Sequence, residues 1–270
     1  ESIPLITASI MSKKLAEGTN GIVMDIKIGN GAFMKSLDQA RELADSLMQT
    51  AHRFDKNMMC FLTDMNQPLG KAVGNSLEIL EVVDVLKNKG EKNLTELSLK
   101  LAAAMLYISE KEESFEASLS KIREALEKGK GLEVFRKMIT AQGGDASFID
   151  DPTKLPLASK ITEVKSPRAG FIKSFKTQKI GLQCVNLGGG RKKVDDTIDP
   201  GVGFIFHKNV GDPIHEGEKI LEIYHHPEQA ELVEKITQDF LNEIIQIEKH
   251  SSQALPLIYE KHLKWRKDYA

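Results

Sequence analysis

The stretch GIVMDIKIGNGAFMKSLDQARELA, residues 21–44, sets the fold class of the chain. Its first part, GIVMDIKI, is rich in β-branched residues and is closed by a glycine, which predicts a buried strand. In its second part, Ser36 opens the capping-box pattern SLDQ, and apolar residues recur at helical spacing from there to Ala51. A strand that leads into an amphipathic helix is the first half of a βαβ unit.

The sequence after this stretch repeats the same order. NMMCFLTDM, residues 57–65, predicts a second buried strand, and a further helix is predicted from Asn75 to an exit at Gly90. Strand, helix, strand and helix together predict a parallel pair of strands with a right-handed crossover. Ligands bind beyond the carboxyl ends of such strands, so we expect the functional loops at residues 28–36 and 64–76.

The fold class predicted for the whole chain is α/β, with a partial parallel sheet, flanking helices and a second, C-terminal β-rich domain of α+β, barrel-sandwich-like type. An opening helix over residues 5–18 is expected to end at Gly18, and IGLQCVNLGGG is interpreted as one of the short strands of the β-rich domain. The predicted boundaries are an opening helix and hinge at 1–20, an α/β domain at 21–150, a linker at 151–163, the β-rich domain at 164–230 and a helical tail at 231–270.

Composition restricts the classes of partner. The 270 residues carry a formal net charge of −2 with a pI near 6.5, which gives no broad positive field for nucleic acid or for an anionic membrane. The two cysteines, Cys60 and Cys184, lie in apolar runs and lack the spacing of a zinc site or a disulfide framework. No apolar run approaches the roughly 20 residues that cross a bilayer, so a cytoplasmic location is expected.

Two glycine-rich segments, GNGAF at residues 29–33 and LGGGR at residues 187–191, could bring backbone N–H groups close to an anion. Neither has the full dinucleotide fingerprint or the Gly-Lys-Ser/Thr ending of a phosphate-binding loop. Tight turns are therefore the favoured interpretation of both.

Ser9 and Lys13 are the side chains of the opening helix that suggest chemistry. They are four residues apart, so both project from one face and could present a hydroxyl and a cation to the same ligand. By spacing alone an exposed lysine and a helical serine are ordinary, and the pattern leaves both interpretations open.

Three blocks, TASIMSKKLAEG, GIVMDIKIGNGAFMKSLDQARELA and FLTDMNQPLGKAVGNSLEILE, resemble the thymidine and pyrimidine-nucleoside phosphorylases. QCVNLGGGRKKVDDTIDPGVGFIFHKNVGDPIHEGE is similar to the closing domain of the same family. The resemblance implies reversible phosphorolysis of thymidine, uridine or deoxyuridine, with phosphate as co-substrate and no organic cofactor. It also implies a homodimer in the complete enzyme.

The resemblance assigns roles residue by residue. Ser9 and Lys13 match the base-binding, catalytic serine and lysine of the family, and Ile6 and Phe33 match apolar positions that line the base pocket. The backbone carbonyls of Leu69 and Ala72 and the carboxylate of Glu81 match a cation site, usually occupied by potassium. Ligation by oxygen alone suits a hard monovalent ion.

Other parts of the family's site have no matching stretch in these 270 residues. They are the phosphate cradle and the arginine that joins the serine and lysine on the base, and both are expected upstream of residue 1. An incomplete sheet is then expected to expose a strand edge. A non-catalytic remnant that binds a pyrimidine or a protein partner is the alternative function, and a phosphoribosyltransferase is a third, which the β-rich domain disfavours.

Overall fold

The computed structural model describes residues 2–251 and 253–265. Within them, no helix combines the length and the apolar character needed to cross a bilayer. The described helices are α1 (Ile3–Ala16), α2 (Leu37–Arg53), α3 (Asn75–Leu86), α4 (Lys92–Ile108), α5 (Phe115–Glu127), α6 (Lys130–Ala141), α7 (Thr177–Leu187) and α8 (Ala230–Asp239). Short helical turns lie at Ala146–Ile149, Pro152–Lys154, Pro227–Gln229 and Phe240–Ile244.

The strands form three sheets, in the orders β1-β2-β10, β3-β6-β8-β4 and β7-β5-β9. The strands are β1 (Gly21–Ile28), β2 (Asn57–Asp64), β3 (Ala72–Val73), β4 (Lys160–Lys165), β5 (Gly170–Phe175), β6 (Gly203–Phe206), β7 (Pro213–Ile214), β8 (Lys219–His225), β9 (Ile245–Glu248) and β10 (Ile258–Lys264). The chain is therefore α/β, as its sequence predicts.

The predicted βαβ unit is confirmed. β1 pairs in parallel with β2 in a register that sets Gly21 opposite Asn57 and Ile28 opposite Asp64. The connecting helix α2 begins where predicted, because the Ser36 hydroxyl accepts the Gln39 N–H at 3.3 Å. Every residue of β2 is buried, as expected for a central strand that is covered on both faces.

The carboxyl ends of β1 and β2 are level with each other in this register. The loop that follows β1 is fixed by hydrogen bonds from the Gly29 N–H to the Met34 carbonyl and from the Gly31 N–H to the Met65 carbonyl, both 3.0 Å long. This is the sheet edge at which the sequence places the functional loops.

The chain separates into two compact units. The first contains the described residues of Glu1–Met65, Thr95–Ala125 and Pro256–Ala270, and the second contains Asn66–Leu94 and Leu126–Leu255. The first unit holds the sheet β1-β2-β10, with an apolar core between α2 and one sheet face and a smaller cluster on the other face. The second unit holds the two antiparallel sheets and their core.

The predicted strand in IGLQCVNLGGG is wrong, because this segment lies in helix α7. Its buried residues Thr177, Ile180, Cys184 and Leu187 recur every three or four positions, which is the spacing of one helix face. The following LGGGR segment ends that helix: Gly188 has a φ of +107°, and the Gly189 N–H bonds to the Cys184 carbonyl at 2.9 Å. The turn interpretation of its glycines is thus confirmed.

The prediction of an entirely helical tail is also wrong. Helix α8 ends at Asp239, and one wider turn over Phe240–Ile244 leads into β9. The apolar residues of α8 recur at helical spacing, but in the sequence IQIE that follows, Ile245 and Ile247 alternate with polar residues. This period of two is typical of a strand with one buried face. Within α8, Val233 and Ile236 pack into the core of the second unit.

A third difference concerns helix α3, which ends at Leu86 rather than at Gly90. The chain leaves the helix through Asn88, whose φ of +59° is left-handed. Asparagine tolerates this conformation better than most residues with a side chain, so the helix stops before the glycine is reached.

Candidate functional site

Helix α1 presents Ser9 and Lys13 to solvent because its opposite side is anchored to α2. Thr7 is buried, and its hydroxyl is 2.9 Å from the Ser46 hydroxyl on α2. Met11 is only 1% exposed and belongs to the core of the first unit. Four positions apart and both exposed, Ser9 and Lys13 share the accessible flank of the helix.

Neither functional atom of this pair is engaged within the chain. Across residues 2–251 and 253–265, neither the Ser9 hydroxyl nor the Lys13 ammonium has a hydrogen-bond or ion-pair partner; the carbonyl of Ser9 accepts the Ser12 hydroxyl at 3.2 Å. Lys14, by contrast, pairs with Glu17 at 3.2 Å. The pair therefore offers a neutral donor and a cationic donor to a ligand.

The two apolar residues assigned to this site have different surroundings. Ile6 is half-buried and packs against the core of the first unit, so only part of its side chain is accessible. Phe33 is 73% exposed although its neighbour Met34 is buried. A parallel bridge joins Ile28 to Met34, so Phe33 stands at the carboxyl end of β1.

A polar cluster that sequence reasoning missed lies beside this loop. Lys27 Nζ is 2.7 Å from a carboxylate oxygen of Asp25 and donates to the Thr63 hydroxyl at 3.0 Å. The Thr63 hydroxyl in turn donates to Asp25. The sequence did contain a sign of this cluster: Asp25 and Lys27 are two charged residues at alternate positions of an otherwise apolar strand, and alternation turns both side chains to one face.

The residues assigned to the cation site lie in the second unit, around the carboxylate of Glu81. One of its oxygens accepts the Lys71 N–H at 2.6 Å and the other accepts the Ala72 N–H at 3.3 Å. Burial is the main cause that raises the pKa of Glu81, and these two N–H donors act in the opposite direction. A cation at this place would favour the ionised carboxylate.

The direction of the Ala72 carbonyl follows from strand pairing. Ala72 lies opposite Ile205, and the Phe206 N–H bonds to the Lys71 carbonyl at 2.8 Å. Hydrogen-bonded and non-bonded pairs alternate in an antiparallel ladder, so both polar groups of Ala72 turn away from β6, toward the side where its N–H meets Glu81. One carbonyl and one carboxylate thus share a side, which fits a hard cation.

A pocket of about 390 Å³ lies at the other end of the sheet in the first unit. It is lined by Asn20, Gly21, Asn57, Met105, Ile108, Ser109, Glu110 and Lys111. The Asn57 amide donates to the Ile108 carbonyl at 3.2 Å, so this polar group is already satisfied. The pocket is at the amino ends of β1 and β2, away from the edge at which such sheets bind ligands.

Two family models match the chain. Residues 1–132 match the a/b domain of a glycosyl transferase family, and residues 171–243 match the pyrimidine nucleoside phosphorylase C-terminal domain. The first range contains all the assigned site residues of both units, and the second lies within the second unit.

Curated relatives agree with these matches. The chain is 41% identical over 260 residues to a pyrimidine-nucleoside phosphorylase of Geobacillus stearothermophilus, a match that covers 96% of the chain and 59% of the relative. It is 42% identical over 234 residues to proteins of the same name in two strains of Staphylococcus aureus, bovine RF122 / ET3-1 and USA300, covering 87% of the chain and 54% of each relative. The chain thus spans a little over half the length of these relatives.

Proposed function

Because the chain belongs to the pyrimidine-nucleoside phosphorylase family, we propose that it forms the base-holding part of an enzyme that reversibly phosphorolyses pyrimidine nucleosides. In this reaction, phosphate attacks the anomeric carbon of uridine, thymidine or deoxyuridine, and the free base and a pentose 1-phosphate are released. The observation that carries the proposal is the unengaged Ser9 and Lys13 pair on the exposed flank of α1.

The roles of this pair follow from the charge that develops during the reaction. As the glycosidic bond breaks, the departing pyrimidine acquires negative charge on its carbonyl oxygens. A hydroxyl donor at Ser9 and an ammonium at Lys13 stabilise that charge more strongly than they stabilise the neutral nucleoside. Phe33 and the accessible part of Ile6 are proposed to cover the apolar faces of the base.

A potassium ion is proposed at Glu81, with the carbonyls of Leu69 and Ala72 as further ligands. Support comes from the partly buried Glu81 carboxylate and from the strand register that turns the Ala72 carbonyl to the same side. The ion would neutralise a carboxylate that burial otherwise disfavours, and it would hold the loop from Leu69 to Ala72 in one conformation.

Phosphate is the co-substrate in this proposal. No stretch of the 270 residues resembles the family's phosphate cradle, so we propose that residues outside this sequence supply it. We also propose a cytoplasmic homodimer for the complete enzyme, on the family resemblance alone.

The experiment that tests this function measures phosphate-dependent release of uracil from uridine, in the chain and in the family-length protein that contains it. We expect Lys13→Ala to lower kcat by about 10² to 10³ in the family-length protein, because it removes a donor to the departing base. Lys14→Ala is the matched control, since it removes an adjacent lysine that already pairs with Glu17. Equal activity of the two variants would contradict the role of Lys13.

The second candidate function is a non-catalytic protein that binds a pyrimidine or a protein partner. The accessible Ser9 and Lys13 pair, without a phosphate cradle in the same sequence, is the observation that favours it. Binding of uracil without any release of uracil from uridine, even in the family-length protein, would establish this candidate instead.

A further inference from the structure

The cluster of Asp25, Lys27 and Thr63 lies at the carboxyl ends of two parallel strands. Lys27 is opposite Thr63 in the register of β1 and β2, one residue before each strand ends. Thr63 has no exposed surface, whereas the side chains of Asp25 and Lys27 are 22% and 29% exposed. The buried hydroxyl therefore lies beneath two charged groups that solvent, or a ligand, can reach.

The exposed ring of Phe33 belongs to the loop that follows β1, the strand that carries Asp25 and Lys27. In the parallel bridge between Ile28 and Met34, both side chains enter the core of the first unit. Alternation along β1 turns Lys27 away from that core, and Phe33, which precedes Met34, is 73% exposed. An accessible aromatic ring and a charged pair thus lie at the same end of β1, the end at which the functional loops are expected.

Stability does not account for the charged pair at this place. Replacing a partly buried ion pair by apolar residues is often neutral or stabilising, because desolvation offsets the attraction between the charges. The same sheet face is apolar farther down, where Val23, Met59 and Phe61 belong to one hydrophobic cluster. A charged pair confined to the carboxyl edge, where α/β sheets bind ligands, points to a binding role.

We propose that Asp25 and Lys27 bind the hydroxyl groups of the nucleoside's pentose, with Thr63 as the residue that positions both charges. This inference rests on the proposed function and assigns the sugar contacts of that site. A sugar hydroxyl both donates and accepts hydrogen bonds, so it can donate to the carboxylate of Asp25 while it accepts from the ammonium of Lys27. Two of the three Lys27 donors are used by Asp25 and Thr63, and the third has no acceptor among the residues that the structure describes.

The arrangement also agrees with the shape of a nucleoside. Phe33 would contact the base, and the charged pair at the same end of β1 would contact the sugar. Charge-assisted hydrogen bonds are stronger than neutral ones, so a net-neutral pair of this kind can select a hydroxylated ring without attracting anions in general.

Calorimetric titration of the chain with uracil and with uridine tests the proposal. In the unaltered chain we expect uridine to bind more tightly than uracil. In Lys27→Met we expect the affinity for uridine to fall roughly tenfold or more, while the affinity for uracil stays the same. Lys35→Met is the matched control; Lys35 follows the same loop and donates to the Asn30 carbonyl, and we expect both affinities to be unchanged.

Thr63→Val is the second variant, in case Lys27→Met fails to fold. It keeps the side-chain shape but removes the hydroxyl, so we expect a severalfold loss of the preference for uridine, with uracil binding unaffected. A purely structural role for Thr63 would change both affinities together. A preference for uridine that survives in each folded variant would overturn the proposal.

Titration with ribose 1-phosphate separates this inference from the proposed function. If the unaltered chain binds no uracil, the proposed base site at Ser9 and Lys13 is wrong. The proposed sugar contacts would still be supported if the chain binds ribose 1-phosphate and Lys27→Met abolishes that binding. If neither uridine nor ribose 1-phosphate binds, or if Lys27→Met leaves ribose 1-phosphate binding intact, the sugar contacts are wrong.

Discussion

Gly70 shows how a single residue shapes the proposed cation site. A Cβ placed on Gly70 would lie 2.2 Å from one Glu81 oxygen and 2.6 Å from its carboxyl carbon. The carboxylate can approach the loop, and accept the N–H groups of Lys71 and Ala72, only because position 70 has no side chain.

Gly70→Ala is therefore expected to destabilise the protein by about 1–3 kcal/mol, because the added methyl group must displace the carboxylate. Gly181→Ala is the control: Gly181 lies within α7, and a Cβ there would meet nothing within 4 Å. It should stabilise the protein by about 0.5–1 kcal/mol through helix propensity. Urea unfolding measures both, and equal effects of the same sign would refute the steric account.

If a potassium ion binds at Glu81 as proposed, its removal should be detectable as a loss of stability. At a potassium concentration of ten times Kd, binding adds about 1.4 kcal/mol, or roughly 2–4 °C in Tm. We expect Glu81→Gln to abolish this gain when potassium replaces a bulky organic cation at constant ionic strength. Lys71→Ala is the control: it alters only a side chain and keeps the backbone N–H donors, so potassium should still stabilise this variant. A potassium effect that is unchanged in Glu81→Gln would exclude Glu81 as a ligand.

Single residues also show what the sequence could reveal about the site. The shared flank of Ser9 and Lys13 was predictable from their spacing in a helix, and the structure leaves both accessible, whereas their role in binding the base rests on the family resemblance and stays a prediction. The contact of Asp25 and Lys27 with Thr63 depends on the register of two strands, and the sequence of one strand does not determine the register of its partner.

Among the elements, β10 joins the first unit through its pairing with β2 and, among other contacts, through a polar cluster around Glu260. It pairs antiparallel with β2, and the Glu260 carboxylate receives the guanidinium of Arg41 on α2 as well as the His262 ring at 2.9 Å. The hydrogen bond from Arg41 is the main cause that lowers the pKa of Glu260 to about 2, and His262 adds to it.

This lowered pKa predicts how the stability depends on pH. A carboxylate whose pKa is lower in the folded state stabilises the fold above its unfolded pKa, about 4.3, and that contribution is lost as the pH falls toward 2. Glu260→Gln should therefore be less stable than the unaltered chain at pH 7, and the difference should shrink between about pH 4.3 and 2. Urea unfolding at several pH values tests this. A difference in stability that does not vary with pH would show that the charge of Glu260 does not contribute to the stability of the fold.

The elements that sequence reasoning missed share a physical cause. In α7 a glycine and β-branched residues suggested turns and strands, yet the burial of Ile180, Cys184 and Leu187 selected a helix. In β9 the apolar residues continue the helical spacing of α8 and so suggested more helix, yet this segment pairs with β5 as a strand. Tertiary contacts override weak local preferences, whereas the long periodic pattern of α2 was sufficient by itself.

At the scale of the whole molecule, the first unit is assembled from three separate segments of the chain. The last of them, with β10, covers the edge of the fully buried strand β2, so part of the strand edge that the sequence led us to expect is paired. In the described sheet β1 remains at the other edge. The sequence could not predict this return, since pairing between strands far apart in the chain leaves no local pattern.

Deletion of residues 256–270 should consequently expose the backbone groups of β2 and promote association. We expect the shortened protein to lose cooperative unfolding in urea and to elute as aggregates in size-exclusion chromatography. A monomer of unchanged stability would show that β10 is dispensable for the first unit.

The most direct test of the central claim, that Ser9 and Lys13 hold the pyrimidine base, is a crystal structure of the chain with uracil. We expect uracil carbonyl oxygens within about 2.7–3.2 Å of the Ser9 hydroxyl and the Lys13 ammonium. Uracil bound elsewhere on the molecule, with both of these atoms free of it, would contradict the account.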